Sequence, residues 1–269
     1  MPASSRAVYA RYVALGDSST EGLDDEVAPG RYRGWADRLA AHVANARALS
    51  PGSEPLLYAN LAIRGRKTRQ VRDEQLAPAL AMRPDLATVF SGTNDIIRRG
   101  FALDTVMDDI RFMQRALRDA GATVLTITMP DLTEVMPLAG RMRSRLDEFN
   151  AAVREVSRET GTLVVDLALH PFAVDPRFWS DDRLHANTEG HTRIAAALAH
   201  ALELPGSSDA WSAPLPDLPR PGLMRRASTE LKWTKDHLIP WLWRHARGRS
   251  SGDGITAKRP HLTPLPPHD

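Results

Sequence analysis

At 269 residues, with 42% apolar and 25% charged side chains, the chain can bury a sizeable core and is too apolar for general disorder. A formal net charge of +2 and the absence of cysteine exclude a strongly basic nucleic-acid binder, a disulfide scaffold, a thiolate metal site and a cysteine nucleophile. The charge is uneven: residues 206–269 hold ten Lys/Arg against six Asp/Glu, a net +4 that leaves the main body at −2.

In chain order, the first apolar run, Tyr12–Leu15, ends in Gly16-Asp17-Ser18. Further short runs bounded by Gly, Pro or polar residues follow at Leu56–Ala62, Leu86–Phe90, Thr123–Thr128 and Leu163–Asp166. Between them lie stretches of helical period: Trp35, Leu39 and Val43; Val71 and Leu76 to Leu80; Val106, Ile110, Met113 and Leu117; Leu146, Phe149, Val153 and Val156. A last helix is expected from about Asn187 to Leu202. Strands alternating with amphipathic helices predict βαβ units around a parallel sheet, an α/β fold.

After Leu204 the composition changes. Nine of the twenty prolines and four of the six tryptophans fall in residues 206–269. The division expected is a main domain over 1–205 and, over 206–269, a linker followed by a basic amphipathic extension. That extension is suited to packing back on the domain, to a partner, or to a membrane surface. No apolar run of signal-peptide length precedes the first strand, and no 18-residue apolar segment occurs, so a cytoplasmic location is the expectation.

The unusual polar residues collect at one place in this scheme. Strand one is followed by Gly16-Asp17-Ser18, strand two by "NLAIRG" with Asn60 and Gly65, and strand three by "SGTND" with Asn94. The last helix is preceded by "SDDRLHAN" with Asp182 and His185. In an open parallel sheet these turns share the carboxyl edge, where ligands bind. A serine hydroxyl needs a base to take its proton, and the base needs a third group to hold its tautomer. Asp182 and His185, three apart, would share one side of a helical turn, with Asp182 accepting from Nδ1 while Nε2 faces Ser18. Oxyanion donors are available in the Ser18 N–H, the Gly65 N–H and the Asn94 amide.

The ordered blocks "GDSSTEG", "NLAIRG", "SGTND" and "DDRLHAN" over residues 10 to 204 resemble the SGNH hydrolases, also called the GDSL esterase/lipase family. The resemblance implies a flavodoxin-like three-layer α/β/α fold with a five-stranded parallel sheet. It implies Ser18 as nucleophile, His185 as base and Asp182 as its orienter, with Gly65 and Asn94 in the oxyanion hole. It implies no cofactor. The family's spacing selects Asp182 over Asp181, and Ala186 stands where members often carry proline. The expected reaction is hydrolysis of a small-molecule carboxylic ester through an acyl-serine. The alternatives are acyl transfer or deacetylation on a sugar or metabolite with the same residues, or a binding module that has lost catalysis.

Other readings are poorer. No G-x-G-x-x-G follows the first strand, and the nine histidines form no ligand-spaced cluster. His191 is expected inside the final helix in a structural role. The run "RGRKTR" beside Gly65 is either a solvated helix start or, through Arg64 or Arg66, a contact for an anionic substrate group. The acidic run Asp24, Asp25 and Glu26 belongs to a loop after the serine that could line a pocket.

Overall fold

The computed structural model describes residues 9–98, 100–134, 140, 142–216, 232–238 and 252–267. Five short strands form where the apolar runs predict them: β1 (Arg11–Gly16), β4 (Leu56–Asn60), β5 (Leu86–Phe90), β6 (Thr123–Ile127) and β7 (Leu163–Val165). All five are parallel, in the order β7-β6-β5-β1-β4. A two-stranded hairpin, β2 (Glu26–Ala28) with β3 (Arg31–Tyr32), interrupts the first crossover.

The strand order dictates the layers. From β1 the chain moves outward to β4 through α2 (Gly34–Ala48), then returns past β1 to β5 through α3 (Thr68–Ala81). Right-handed crossovers in opposite directions put α2 and α3 on opposite faces of the sheet. Two further helices, α5 (Leu103–Asp119) and α6 (Arg143–Thr160), continue the second direction and pack in a row with α3, while α7 (Thr188–Ala201) returns to pack on α2. The result is a three-layer α/β/α sandwich. Its core is built from the predicted stripes: Trp35, Leu39 and Val43 of α2, Val106, Ile110, Met113 and Leu117 of α5, and Phe149, Val153 and Val156 of α6 are all buried. Central β1 carries Tyr12, stacked on Tyr58 of β4 at 5.0 Å and bonded to Thr88 Oγ1 of β5 at 2.9 Å.

The extension departs from the expected linker and amphipathic segment at its far end. Residues Arg259–Leu265 form β8, a sixth strand antiparallel to β4, with Leu56 opposite Leu265 and Tyr58 opposite Thr263. Pro260 and Pro264 cannot donate to a ladder, and the edge is the one place in a sheet that accepts them. Lys258, just before β8, donates to the carbonyls of Tyr32 and Arg33 and pairs with Asp37 at 3.0 Å. Trp233 is buried, with the Arg183 guanidinium 4.6 Å over its ring. Most of the basic stretch expected to form an amphipathic helix, residues 225–249, lies outside the described residues. No helix among the described residues is long and apolar enough to cross a membrane.

Candidate active site

The strand order reverses at β1, which makes the carboxyl ends of β1, β4 and β5 the edge where a crevice opens. The end of β1 is held rigidly. Gln75 of α3 accepts from the Gly16 N–H and donates to the Gly16 carbonyl, each at 2.9 Å. A Cβ on Gly16 would lie 2.5 Å from the Phe90 carbonyl, so only glycine lets β1 turn this close to β5. Asp17 then caps α1 (Ser18–Glu21), its Oδ1 accepting from the Ser19 N–H at 3.2 Å. Ser18 is therefore the first helical residue of a turn fixed at both ends.

His185 reaches this serine from the other end of the domain. Its Nε2 is 2.7 Å from Ser18 Oγ, and its Nδ1 is 2.6 Å from Asp182 Oδ2. The three-residue spacing does not act through a helical turn. Residues 180–186 form an irregular loop in which Arg183 is left-handed at φ +61°, and Asp182 Oδ1 accepts from the N–H groups of Leu184 and His185 at 2.8 and 2.9 Å. Asp182 thus organises the loop that presents its histidine. Asp181 is exposed, whereas Asp182 is turned inward.

The electrostatics follow from this packing. Burial raises the Asp182 carboxyl, but the hydrogen bond and charge of His185 with the backbone donors outweigh it and hold the group well below the usual carboxylate range. Burial likewise works against the His185 imidazolium, and the bond and charge of Asp182, with Asp24 and Asp17, overcome it to raise the imidazole above its ordinary value. Burial pushes the Asp17 carboxyl up to about 7.

The other polar groups singled out in the sequence lie in the neighbouring turns. Gly65 sits at φ +75° in the turn after β4, a conformation that opens its N–H and favours glycine. Among the described residues the Ser18 and Gly65 N–H groups have no hydrogen-bond partner. Asn94, in α4 (Thr93–Ile96), ties the three turns together: its Nδ2 donates to the Arg66 carbonyl at 3.0 Å and to Asp17 Oδ2 at 3.2 Å. Asn60 is structural, linking β4 to the Thr20 carbonyl at 2.9 Å.

Several neighbours take roles that residue spacing did not reveal. Arg64 is held in a partly buried ion pair by Glu21, which also accepts from the Arg64 N–H at 2.7 Å, and its guanidinium lies 5.2 Å over Tyr32. Arg66 pairs with Glu74, and Arg69 with Asp109. Arg64, Arg66 and Arg69 of the basic run are thus each held by a carboxylate. The signal was Glu21 inside "GDSSTEG", an acid in a first turn that needs a buried partner. His191 is fully buried, accepting from the Trp35 N–H at Nδ1 and donating to the Leu23 carbonyl from Nε2. Among the described residues one group, Asp24, Asp182 and His185, is close enough to share a cation. Its imidazole nitrogens already face Asp182 and Ser18, so no ring lone pair points at a shared ion.

The GDSL-like lipase/acylhydrolase family model matches residues 14–193. The chain belongs to that family. It is therefore an ester-hydrolysing enzyme of α/β architecture. No curated protein sequence matches it. Similar solved structures include a lipase/acylhydrolase from Enterococcus faecalis, at 22% identity and TM-score 0.57, covering 72% of this chain and 95% of that one. An acetyl xylan esterase from Geobacillus stearothermophilus matches at 20% identity and TM-score 0.56, over 72% and 95%. An alpha/beta hydrolase from the metagenome of Lake Arreo, Spain, matches at 20% and TM-score 0.58, over 72% and 95%.

Proposed function

We propose that this enzyme cleaves carboxylic esters through an acyl-serine on Ser18. The observation that carries the reading is the 2.7 Å contact between Ser18 Oγ and His185 Nε2, with Asp182 behind the ring at 2.6 Å. His185 takes the hydroxyl proton as Oγ adds to the ester carbonyl, and returns it to the leaving alcohol as the tetrahedral intermediate collapses. Water, activated by the same ring, then adds to the acyl-serine and releases the acid. The unpartnered Ser18 and Gly65 N–H groups receive the oxyanion, each such donor being worth about 10²- to 10³-fold in rate. Asn94 joins them by exchanging its longer contact to Asp17 for the substrate oxygen.

The Geobacillus neighbour makes an acetylated carbohydrate one member of the substrate panel to be tried. The deciding comparison is wild type against Ser18→Ala on short-chain aryl esters, graded acyl esters and acetylated xylan. Loss of at least about 10³-fold in kcat with an unchanged Tm is expected. A variant that keeps its rate refutes the acyl-serine.

A further inference from the structure

The loop after α1 aims a second carboxylate at the imidazole. Asp24 Oδ2 is 3.8 Å from His185 Nδ1 and 2.7 Å from Ser180 Oγ, and Ser180 Oγ is also 2.7 Å from Asp182 Oδ1. A serine hydroxyl has one hydrogen to donate, so Ser180 divides it between two carboxylates. What one gains the other loses.

Asp24 is fixed in this position. Its backbone is left-handed at φ +68°, a region aspartate tolerates but seldom occupies. Both flanking residues are pinned. The Leu23 carbonyl accepts from His191 Nε2 at 3.0 Å. The Asp25 carboxylate accepts from Arg38, from the Gly34 N–H at 3.0 Å and from Thr188 Oγ1 at 2.8 Å. An unfavourable backbone conformation that its surroundings sustain from both sides is a mark of functional positions.

From this juxtaposition, which rests on the Ser18 and His185 reading above, we propose that Asp24 is a positioning residue: with Ser180 it forms a second carboxylate arm that steadies the His185 ring and favours its cationic form during acyl transfer. At 3.8 Å the oxygen is too far for a hydrogen bond to Nδ1, which belongs to Asp182, so Asp24 acts by charge and through the shared hydroxyl. The groups facing His185 are Asp182 and Asp24 at Nδ1, Asp17 from the β1 turn, and the His191 ring from α7. Burial keeps His191 uncharged at neutral pH, and the charges of Asp182, Asp24 and Asp17 each favour the imidazolium.

The test is the pH profile of kcat/KM on a neutral short-chain ester for wild type, Asp24→Asn and Ser18→Ala. Asparagine tolerates the left-handed backbone and keeps the side-chain volume while removing the charge. The acid-side midpoint of Asp24→Asn is expected to fall by about half a pH unit or more, with kcat about 3- to 10-fold lower and KM little changed. A residue that only supports the loop would lower Tm and activity together and leave the midpoint in place. An unmoved midpoint in a folded variant overturns the proposal. Should Asp24→Asn fail to fold, Asp24→Gly carries the test: glycine accepts the left-handed backbone and removes the charge, so the midpoint should again fall, and an unmoved one overturns the proposal. Ser18→Ala separates the two readings. Retained activity there sinks the acyl-serine, whereas loss there with an unmoved Asp24→Asn midpoint sinks only the second arm.

Discussion

Two edges of the same sheet are built on opposite terms. At the carboxyl ends of β1 and β5, Asp17, Glu21, Asp25 and much of Asp95 are withdrawn from water, each given named hydrogen-bond donors. At the lateral edge, β8 contributes a backbone ladder to β4 and a partly buried Leu262 and Leu265, with mostly exposed side chains. Burying carboxylates costs stability even when they are paired. A fold that accepts the cost at one edge only does so where fixed polar groups are needed for chemistry. The other edge hides β4 from further pairing. Changes at the first edge should therefore act on rate, and changes at the second on stability.

The largest expected effect is at Asp182. Asparagine there presents an N–H to His185 Nδ1 and forces the Nε2–H tautomer, which cannot accept the Ser18 proton. Asp182→Asn should lower kcat by about 10³- to 10⁴-fold, read by steady-state kinetics, with KM nearly unchanged. Retention of more than a tenth of the rate would break the assignment of the carboxyl edge to chemistry. Arg64→Met sharpens the comparison, because the pair lies at the catalytic edge yet touches no reacting group. Stranding Glu21 should cost about 3 kcal/mol, read as the denaturation midpoint, and should act equally on anionic and neutral esters. A selective rise in KM for anionic esters would return Arg64 to substrate binding. Truncation after Lys258 removes β8 while keeping the Lys258 contacts with Asp37, Tyr32 and Arg33. Tm is expected to fall by about 4–8 °C, for about 2 kcal/mol, with kcat within about threefold of wild type.

The contrast also explains what the sequence made legible. Strand centres such as Leu86–Phe90 were readable because an apolar run of that length between turn residues has few other uses. The meeting of Ser18, Asp182 and His185 was readable because a parallel sheet brings such turns together at its carboxyl edge, and the structure places Ser18 Oγ 2.7 Å from His185 Nε2 and Asp182 Oδ2 2.6 Å from His185 Nδ1. β8 was hidden because Pro260 and Pro264 argue against a strand, and only an exposed β4 edge, known from the topology, accommodates them. Asp24 and Ser180 were hidden for a different reason. Their meeting depends on two left-handed residues, Asp24 and Arg183, neither of them glycine. Helical spacing reached Asp182 and His185 by the right interval through the wrong geometry, since an aspartate capping its own loop brings i and i+3 together as effectively as a helix does.

The smallest expected effect distinguishes the two histidines of the site region. Burial pushes His191 down to about 4, below the ordinary value of 6.5, while bonds to the Trp35 N–H and the Leu23 carbonyl hold the neutral ring. Below the ordinary value the unfolded chain takes up a proton that the native ring refuses. The stability His191 contributes is therefore fully present above about pH 6.5 and is lost as pH falls towards about 4. Asp17, pushed up to about 7 from 3.8, runs the other way and weakens the native state as pH rises through that window. A wild-type curve alone mixes the two, and the difference between wild type and His191→Gln isolates the ring. Glutamine keeps one acceptor and one donor for the same partners and cannot charge. Between about pH 7 and about pH 5.5, chemical denaturation should show wild type losing about 1 kcal/mol relative to the variant, with the kcat/KM midpoint set by His185 unmoved. A midpoint that shifts with His191→Gln would make the buried ring part of the catalytic edge rather than the hinge that holds its loop.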